Sequence, residues 1–453
     1  MRVIFLNRYF YPDHSATSQM LSDLAFFLAG SGHEVRVITS RQRYDDPSAV
    51  LPPRERVKGV EVFRVRTTRF GRDNLLGRAA DYLTFYLAAG WKLWRIARAG
   101  DLVIAKTDPP LISVVAGMVA SWRGARLVNW VQDVFPEVAE ALGVRALAGP
   151  QVRLLRWLRN SALKRAVANV VLSERMAEVV ARASAPTYRE QARSHRIPTL
   201  PGGDGFAKRI HIIPNWADME AIHPIAAADN RLRREWGLEG HFVVCYSGNM
   251  GRAHEFDTIL YAAERLAGEE RPVAPRPAEN SLPPGEATAP RSRRSADLQA
   301  FKVRFLLIGG GPQRRAVEDE ALRRGLSNVL FRPYQPRSGL SLSLGVGDAH
   351  LVSLRPEVEG YIFPSKLYGI LAAGRPTVFV GDPKGEIALL VEREGIGVAV
   401  RQGDAAGLAT ALARLAGDAA LCQRMGRRAR ALLCERYDKR ISLKAWLNLL
   451  EGL

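Results

Sequence analysis

Short runs of β-branched and aliphatic residues alternate with helical patterns along most of this 453-residue chain. In the first half the predicted strands are Val3–Leu6, Glu34–Thr39, Val60–Val65, Leu102–Ala105, Ala125–Val131, Asn169–Leu172 and Ile210–Ile213. The second half repeats the plan with His241–Tyr246, Val303–Ile308, Asn328–Phe331, His350–Ser353, Thr377–Val380 and Gly397–Val400. Because such alternation is typical of parallel sheets with helices on both faces, we predict an α/β protein with two Rossmann-like domains.

The domain boundary is predicted where the strand pattern pauses, between Met219 and Asn230. This gives an N-terminal domain over residues 1–222 and a C-terminal domain over residues 223–435. A last helix, 436–453, is expected to pack back on the N-terminal domain. Residues 271–300 contain six prolines and no hydrophobic periodicity. They are therefore predicted to be a disordered insertion.

The composition limits what the protein can be. Hydrophobic residues make up 47% of the chain and charged residues 25%, which excludes a disordered or fibrous protein. Lysine and arginine number 65 against 46 acidic residues, a net charge of +19 that predicts an anionic partner. The partner could be nucleic acid, a membrane surface or a phosphorylated ligand. The three cysteines form no C-x-x-C pair, which excludes a disulfide framework and a cysteine zinc site.

Neither a signal peptide nor a membrane span is predicted. The first apolar run, Val3–Leu6, is too short for the core of a signal peptide. The uncharged stretch Pro109–Trp122 is shorter than the about 20 residues that a spanning helix needs. We therefore expect a cytoplasmic protein, or one bound peripherally to a membrane.

Two predicted helices carry basic residues beside tryptophans. The residues are Trp91, Lys92, Trp94, Arg95 and Arg98 on the first helix, and Arg153, Arg156 and Arg159 on the second. Such faces are typical of helices that lie on an anionic membrane surface. A solvated basic face over an ordinary core has the same pattern. Both interpretations stay open.

Glycine-rich turns follow two strands of the second half, in Ser247–Arg252 and Ile308–Pro312. Glycine lets the backbone approach a ligand closely, and turns after parallel strands lie where α/β proteins bind ligands. Arg252 and Lys366 each place a cation at the positive end of a predicted helix, which is unfavourable unless an anion binds there. The pair predicts a shared polyanion such as a diphosphate. Neither dinucleotide nor P-loop glycine motifs occur, which counts against NAD and P-loop ATP sites.

Polar residues also follow strands of the first half. Asp13, His14, Ser15 and Thr17 come after the first strand, and Asp133 comes after Ala125–Val131. They are expected at the ligand-binding edge of the sheet. Asp13 and Ser15 could equally be turn and helix-cap residues, and Asp133 could stabilise its own loop. Asp108, before two prolines, is predicted to cap a helix.

These motifs resemble those of bacterial GT-B retaining glycosyltransferases of family 4, in their lipopolysaccharide, capsule and exopolysaccharide (L-fucosamine or fucosyltransferase-like) branch. The matching pieces are Gly32–Val35, Ile212–Asn215, Ser247–Arg252, Ile308–Pro312, Glu359–Gly360, Pro364–Tyr368, Ala373–Pro376 and Gly385–Ile387. They stand in the family's order and cover nearly the whole chain. The resemblance implies two Rossmann-like domains facing across a cleft, with the donor on the C-terminal domain and the acceptor on the N-terminal one.

The resemblance also implies the reaction. A sugar would pass from a nucleotide-diphosphate sugar, with UDP favoured, to a polyprenyl-linked or glycan acceptor at the inner face of the cytoplasmic membrane. Retention of configuration is implied, with no metal, no other cofactor and no nucleic acid. The implied catalytic residues are Arg252, Lys366, Asp133 and His14. Donor-binding residues would be Gly248, Asn249, Gly251, Gly310, Gly311, Tyr334, Glu359, Pro364, Ser365 and Glu386, and acceptor-binding residues Asp13, Ser15 and Thr17.

One departure from the family pattern concerns the nucleotide ribose. The family carries a second glutamate on the helix after Pro364-Ser365-Lys366, and Gly369 stands at that position here. Glu386 is the candidate to replace it. Two other functions stay open. A GT-B-type sugar-nucleotide epimerase would act on soluble UDP-sugar alone, and a basic nucleic-acid-binding protein would need only the charge, without organised phosphate loops.

Overall fold

The computed structural model describes residues 1–13, 15–44, 50–70, 75–144, 149–184, 205–267 and 302–453. His14 and the predicted insertion 271–300 lie outside the described residues. The chain forms two units. The first comprises Met1–Trp216, Gly360–Ser365 and Tyr437–Leu453, and the second comprises Ala217–Glu359 and Lys366–Arg436. The division falls after Trp216 rather than at residue 222 because the Trp216 ring stacks on Trp130, 6.1 Å away, in the core of the first unit.

The first unit is built on one sheet with the strand order β3-β4-β2-β1-β5-β6-β7-β8. Its strands are β1 (Arg2–Leu6), β2 (Glu34–Ser40), β3 (Arg54–Val57), β4 (Val60–Val65), β5 (Leu102–Lys106), β6 (Arg126–Trp130), β7 (Ala168–Val171) and β8 (Ile210–Ile212). All neighbours pair in parallel except β3, which is antiparallel to β4. The sequence predicted every strand of this sheet except the edge strand β3.

Helices cover both faces of the first sheet. They are α1 (Ala16–Gly30), α2 (Leu75–Ile96), α3 (Ile112–Arg123), α4 (Glu137–Ala141), α5 (Pro150–Arg165) and α6 (Glu174–Ser184). On one face, α1 buries Leu21, Leu24 and Leu28 in a core with Val3 and Phe5 of β1. On the other face, α2 and α3 pack against Ile4 and Leu6. Alternate residues of β1 therefore face opposite helical layers.

The second unit has a fully parallel sheet with the order β11-β10-β9-β12-β13-β14. Its strands are β9 (Phe242–Ser247), β10 (Val303–Ile308), β11 (Val329–Arg332), β12 (Ala349–Ser353), β13 (Thr377–Gly381) and β14 (Gly397–Arg401). Its helices are α7 (Arg231–Glu235), α8 (Asp257–Leu266), α9 (Arg314–Arg323), α10 (Leu340–Gly345), α11 (Lys366–Ala372), α12 (Glu386–Arg393), α13 (Ala405–Gly417) and α14 (Ala419–Leu432). All six strands were predicted.

The last helix, α15 (Lys439–Glu451), packs in the first unit. Its Trp446 is fully buried, and the Trp446 and Trp130 rings lie 4.7 Å apart. Lys439 forms an ion pair with Asp23 of α1 at 3.1 Å. Within the described residues, no single helix is long and apolar enough to cross a bilayer. Ala405–Gly417 and Ala419–Tyr437 meet that test only when joined, with a 98° bend between them.

Candidate functional site

Two glycine turns pack tightly together at the carboxyl ends of β9 and β10. The Gly248 N–H donates to Ile308 O at 2.9 Å, and the Met250 N–H donates to Gly310 O at 2.7 Å. Gly309 has a φ of +136°, and a Cβ there would lie 2.1 Å from Gly248 O. Only glycine fits at this position, because the backbone conformation and the contact both exclude a side chain. The predicted donor residues Gly248 and Gly310 are thus held next to each other.

Lys366, the first residue of α11, lies beside these turns. Its Nζ donates to the Tyr246 hydroxyl and lies 3.7 Å from the centroid of the Tyr246 ring. A Cβ on Gly248 would lie 3.9 Å from the same Nζ. Desolvation lowers the pKa of the half-buried Lys366 well below its usual value. No carboxylate forms an ion pair with Lys366 in the described part of the chain.

His254 completes the surroundings of Lys366. Its Nδ1 lies 2.5 Å from the carbonyl oxygen of Ser353, so Nδ1 carries the proton that makes this bond. The other ring nitrogen, Nε2, is then an acceptor and lies 3.4 Å from Lys366 Nζ. Burial and the Lys366 charge lower the pKa of His254 to about 3, so the imidazole is neutral at pH 7. Tyr246 and His254, which contact the Lys366 amine, are therefore both neutral at pH 7.

Arg252 occupies a different position from the one predicted. Helix α8 begins at Asp257, five residues later, and Glu255 accepts a hydrogen bond from Thr258 N at 2.7 Å. Acidic groups thus already face the positive end of α8. The expectation that Arg252 stands at a helix start is wrong, whereas Lys366 does begin its helix. Arg252 is exposed on the glycine turn.

Glu359 and Glu386 meet at the next turn of the second unit. Glu359 Oε1 accepts a hydrogen bond from the Glu386 N–H at 2.7 Å, at the start of α12. A Cβ on Gly385 would lie 2.8 Å from Glu359 Oε2. The Glu359 carboxylate therefore offsets the positive end of α12, a capping role that the sequence did not predict.

Tyr334 lies against the second glycine turn. The Tyr334 side chain is 58% exposed, and Cβ atoms on Gly309 and Gly310 would lie 3.3 and 3.2 Å from its ring. Five residues predicted to bind the donor are thus brought together with Lys366, which was predicted to be catalytic: Gly248, Asn249, Gly310, Gly311 and Tyr334. Gly251 is adjacent, since a Cβ there would lie 3.3 Å from Asn249 Nδ2. Pro364 and Ser365 belong to the first unit.

A second cluster of charges lies at the carboxyl ends of β5 and β6 in the first unit. Lys106 is fully buried, donates to Thr17 O at 2.9 Å and lies 3.8 Å from the Trp130 ring centroid. Burial lowers the pKa of Lys106 well below its usual value, against the opposing charges of Asp108 and Asp133. Neither Lys106 nor Asp108 was predicted to be part of a site.

Asp108 does not cap a helix, contrary to the prediction. Helix α3 starts at Ile112 after Leu111, with no side-chain hydrogen bond at its cap. Asp108 Oδ2 instead accepts from Thr17 Oγ1 at 3.0 Å. The loop between β5 and α3 is long enough for the Asp108 carboxylate to reach Thr17 of α1.

Asp133 carries a carboxylate with a raised pKa in this cluster. Asp133 forms an isolated antiparallel β-bridge with Ile362 of the first unit. The residue is exposed to solvent. Desolvation by the packed groups around it, followed by the charge of Asp108, raises the pKa of Asp133 to about 6, with Lys106 opposing the shift. A carboxylate that is ionised at neutral pH and titrates near 6 is suited to accept a proton from a hydroxyl.

The other residues predicted to bind an acceptor are engaged in local structure. Asp13 is buried, and its two carboxylate oxygens accept hydrogen bonds from Ser15 N, at 2.8 Å, and from Tyr44 N. Ser15 caps α1 by accepting from Ser18 N at 3.4 Å. These contacts favour the turn and helix-cap interpretations of Asp13 and Ser15.

Only some residues of the two predicted basic faces are exposed to solvent. Lys92 lies 4.1 Å from the Phe63 ring centroid, Arg156 pairs with Glu137 and Glu140, and buried Arg159 pairs with Glu137 at 2.5 Å. The prediction that these three basic residues face a membrane is corrected, because other elements supply their partners. Trp91, Trp94, Arg95, Arg98 and Arg153 are exposed.

Exposed apolar side chains on α2, α3 and α5 form a set that we call the aromatic face. It consists of Leu83, Leu87, Trp91 and Trp94 of α2, Trp122 of α3 and Trp157 of α5. Helix α3 packs against both α2 and α5, so the three helices form one layer. Trp122 is 74% exposed and Trp157 is 64% exposed. Large exposed apolar patches mark sites of interaction with proteins or membranes.

Part of the chain matches a known family. Residues 16–198 match the family described as "Glycosyl transferase 4-like domain". The chain is 24% identical over 412 residues to the putative colanic acid biosynthesis glycosyl transferase WcaI of Escherichia coli (strain K12), covering 88% of each protein. It is 25% identical over 382 residues to the probable glycosyltransferase WbjE of Pseudomonas aeruginosa, covering 83% of this chain and 80% of the relative.

Solved structures share the whole architecture. Anabaena HepE in complex with UDP and glucose has a TM-score of 0.65 at 17% identity, with both chains fully covered. WaaG, a glycosyltransferase involved in lipopolysaccharide biosynthesis, has a TM-score of 0.61 at 17% identity, with 98% of each chain covered. The fold is the GT-B fold, built from two Rossmann-like units, which confirms the predicted fold class.

Proposed function

We propose that the protein is a glycosyltransferase that moves a sugar from a nucleotide-diphosphate sugar to an acceptor in cell-surface polysaccharide synthesis. The observation that carries the proposal is Lys366, a desolvated amine beside two close-packed glycine turns, without an ion-pair partner among the described residues. An amine in such surroundings gains a partner when a phosphate binds. The relatives named as glycosyltransferases and the UDP in the HepE structure support the same conclusion.

In this proposal Lys366 stabilises the negative charge that grows on the leaving diphosphate. Fixed donors in a desolvated site act strongly on developing charge, because they need no reorganisation during the reaction. Backbone N–H groups of the glycine turns add donors, and exposed Arg252 reaches the diphosphate from the same turn. Transfer proceeds with retention and without a metal ion. Tyr334 offers its exposed ring to the nucleotide base, and Glu386 is the candidate for the ribose.

Asp133 acts on the acceptor side of the proposed reaction. The Asp133 carboxylate accepts the proton of the attacking hydroxyl, with a pKa near 6 that keeps it ionised at neutral pH. Desolvation contributes most to that raised pKa, the charge of Asp108 adds to it, and the charge of Lys106 opposes it. His14 remains a prediction from the sequence, since it lies outside the described residues.

Calorimetric titration with UDP, GDP and ADP tests the donor site. We expect UDP to bind the wild-type protein more tightly than GDP or ADP does. Lys366→Ala should weaken UDP binding, because the amine loses its contact with the diphosphate. Binding of none of the three nucleotides would contradict the proposal.

We further propose that the aromatic face rests on an anionic bilayer, where a lipid-linked acceptor is available. The surface combines exposed tryptophans with exposed Arg95 of α2, Arg153 of α5 and Arg98, which follows the end of α2. Interfacial aromatic residues and basic residues together suit the boundary of an anionic membrane. Each basic residue near such a surface contributes on the order of 1 kcal/mol. The net charge of +19 acts in the same direction.

Replacing Trp91 and Trp94 with serine should therefore weaken binding to phosphatidylglycerol vesicles, as measured by sedimentation over a salt series. The wild-type protein should bind at low salt and keep part of its binding at high salt, since the tryptophan contribution is not screened. The double variant should lose the salt-resistant part. A matched control, Leu322→Ser with Leu389→Ser, removes exposed apolar residues from the second unit and should bind like wild type.

Two outcomes would contradict the membrane proposal. One is equal binding of the wild-type protein to neutral and anionic vesicles. The other is a tryptophan double variant that sediments like wild type at every salt concentration.

A further inference from the structure

A basic cavity opens beyond the carboxyl ends of β2 and β4 in the first unit. It is lined by Arg41, Gln42, Arg66, Thr67 and Arg69 and has a volume of about 140 Å³. One water molecule needs about 10–15 Å³ by the same measure, so the cavity has room for a phosphate group. The carboxyl ends of parallel strands are where α/β proteins bind ligands.

The loop that carries Arg66 and Arg69 is fixed by a buried network. Asp81 of α2 accepts hydrogen bonds from Thr68 Oγ1 at 2.7 Å and from Phe70 N at 3.1 Å. Gln42 Nε2 donates to Thr68 O at 2.7 Å from the other side. The three bonds hold the chain at Thr68 and Phe70, directly after Thr67. The cavity wall is therefore built in advance of any ligand.

Asp81, the carboxylate that accepts hydrogen bonds from this loop, is paired with a different arginine. Asp81 forms a buried ion pair with Arg8 at 3.3 Å, and Arg8 also donates to Gln42 Oε1 at 3.1 Å. Neither Arg41, Arg66 nor Arg69 forms an ion pair with the residues that the structure describes. Three guanidinium groups thus line one cavity, and a bound anion would reduce their mutual repulsion.

Thr67 gives a second, independent indication. Its hydroxyl oxygen is buried and has no hydrogen-bond partner among the described residues. A buried hydroxyl without a partner is costly, and native proteins satisfy such groups with protein, water or a ligand. A ligand with several acceptor oxygens would satisfy the Thr67 hydroxyl and the arginines together.

We propose that this cavity binds a phosphate or diphosphate group. Guanidinium groups bind phosphate oxygens in pairs, and a phosphate monoester carries close to two negative charges at neutral pH. A single carboxylate would balance only one of the three arginines. This assignment rests on the proposed glycosyltransferase function, in which the bound phosphate group belongs to a lipid-linked acceptor. Phe70, 65% exposed directly after Arg69, gives the lipid chain an apolar surface.

Calorimetric titration of the full-length protein with inorganic phosphate, geranyl phosphate, geraniol and glucuronate tests the proposal. We expect geranyl phosphate to bind most tightly, phosphate less tightly, and geraniol and glucuronate weakly. Arg66→Gln and Arg69→Gln should each raise the Kd for geranyl phosphate about tenfold, the typical effect of losing a charged hydrogen bond. Arg56→Gln removes an exposed charge from β3 of the same unit and should change the Kd little.

Two further variants locate the binding. Thr67→Val keeps the size of the side chain, tests the orphan hydroxyl without removing a charge, and should weaken geranyl phosphate binding severalfold. Lys366→Ala removes the proposed donor site and should leave the binding of geranyl phosphate unchanged. If UDP fails to bind while geranyl phosphate binds through Arg66, the proposed function fails and the phosphate site stands.

Three results would overturn the phosphate site. The first is equal binding of geranyl phosphate to wild type, Arg66→Gln and Arg69→Gln. The second is loss of that binding only in Lys366→Ala. The third is glucuronate binding as tightly as geranyl phosphate. Equal affinity for geranyl phosphate and inorganic phosphate would overturn only the assignment to a lipid, because the alkyl chain would then add nothing.

Discussion

Lys366→Ala is expected to lower the rate of sugar transfer about 100- to 1,000-fold, the usual cost of removing one fixed donor to developing negative charge. The Lys366 amine lies beside the turns at Gly248 and Gly310, where the leaving diphosphate is proposed to bind. A steady-state assay of nucleotide release measures the effect. Lys444→Ala, which removes an exposed lysine from α15, is the matched control and should keep the wild-type rate.

The same variant should fold at least as well as wild type. Because desolvation lowers the pKa of Lys366, the folded state holds its proton less strongly than the unfolded state does. The charged amine therefore costs stability below its folded-state pKa, and this cost fades as the pH rises toward the unfolded value near 10.4. Lys366→Ala removes the cost, so its melting temperature at pH 7 should equal or exceed that of wild type. Early melting with wild-type turnover would contradict the phosphate role of Lys366.

Asp133→Asn is expected to lower transfer about 100- to 10,000-fold, the range for losing a positioned general base. The pKa of Asp133 near 6 also predicts a pH profile. Wild-type transfer should be constant above that pH and fall as the carboxylate becomes protonated below it. The asparagine variant should lack this acidic limb. A pH series of the transfer rate tests both points, with exposed Asp229→Asn as the control.

The stability of the Asp133 variant provides a second readout. The raised pKa means that the folded state binds the proton more strongly than the unfolded state, whose pKa is near 3.9. The stability contributed by Asp133 falls as the pH rises from about 4 to about 6 and stays low above that. Asp133→Asn should therefore melt no earlier than wild type at pH 7. An unchanged acidic limb in the variant would show that another group is the base.

The strands were predictable because their signal is local. Runs such as Val303–Ile308 consist mostly of aliphatic and aromatic residues and bury both faces in a parallel sheet, so each stands out without knowledge of its neighbours. Edge strand β3 (Arg54–Val57) was missed for the same reason. Its sequence is charged and its residues are exposed or half-buried, which is common at a sheet edge.

The site was only partly predictable because much of it depends on contacts between distant segments. Lys366 was found through its motif, but its neighbours Tyr246 and His254 reach it across more than 100 residues of sequence. Lys106 directly follows the predicted strand Leu102–Ala105 and was not singled out in the sequence. Its burial becomes visible only when α1 and Trp130 surround it.

The predicted basic faces were also only partly correct, because ion-pair partners on other elements are not visible in the sequence. Arg156 and Arg159 have the spacing of a surface helix, yet Glu137 of α4 neutralises both. Trp157 was noted only as the tryptophan beside the basic residues of the second helix, and Trp122 was not predicted to be exposed. Partner residues on other elements decide which face of a helix is open, and spacing along one helix does not reveal them.

Transfer of a radiolabelled sugar tests the central claim most directly. The purified protein is incubated with labelled UDP-sugars, in the presence and absence of a membrane extract, and label is measured in the lipid-extractable and polysaccharide fractions. We predict incorporation that requires the extract, releases an equal amount of UDP and is lost in Lys366→Ala. Conversion of the labelled UDP-sugar to its epimer without the extract, or no incorporation from any donor, would contradict the assignment as a glycosyltransferase.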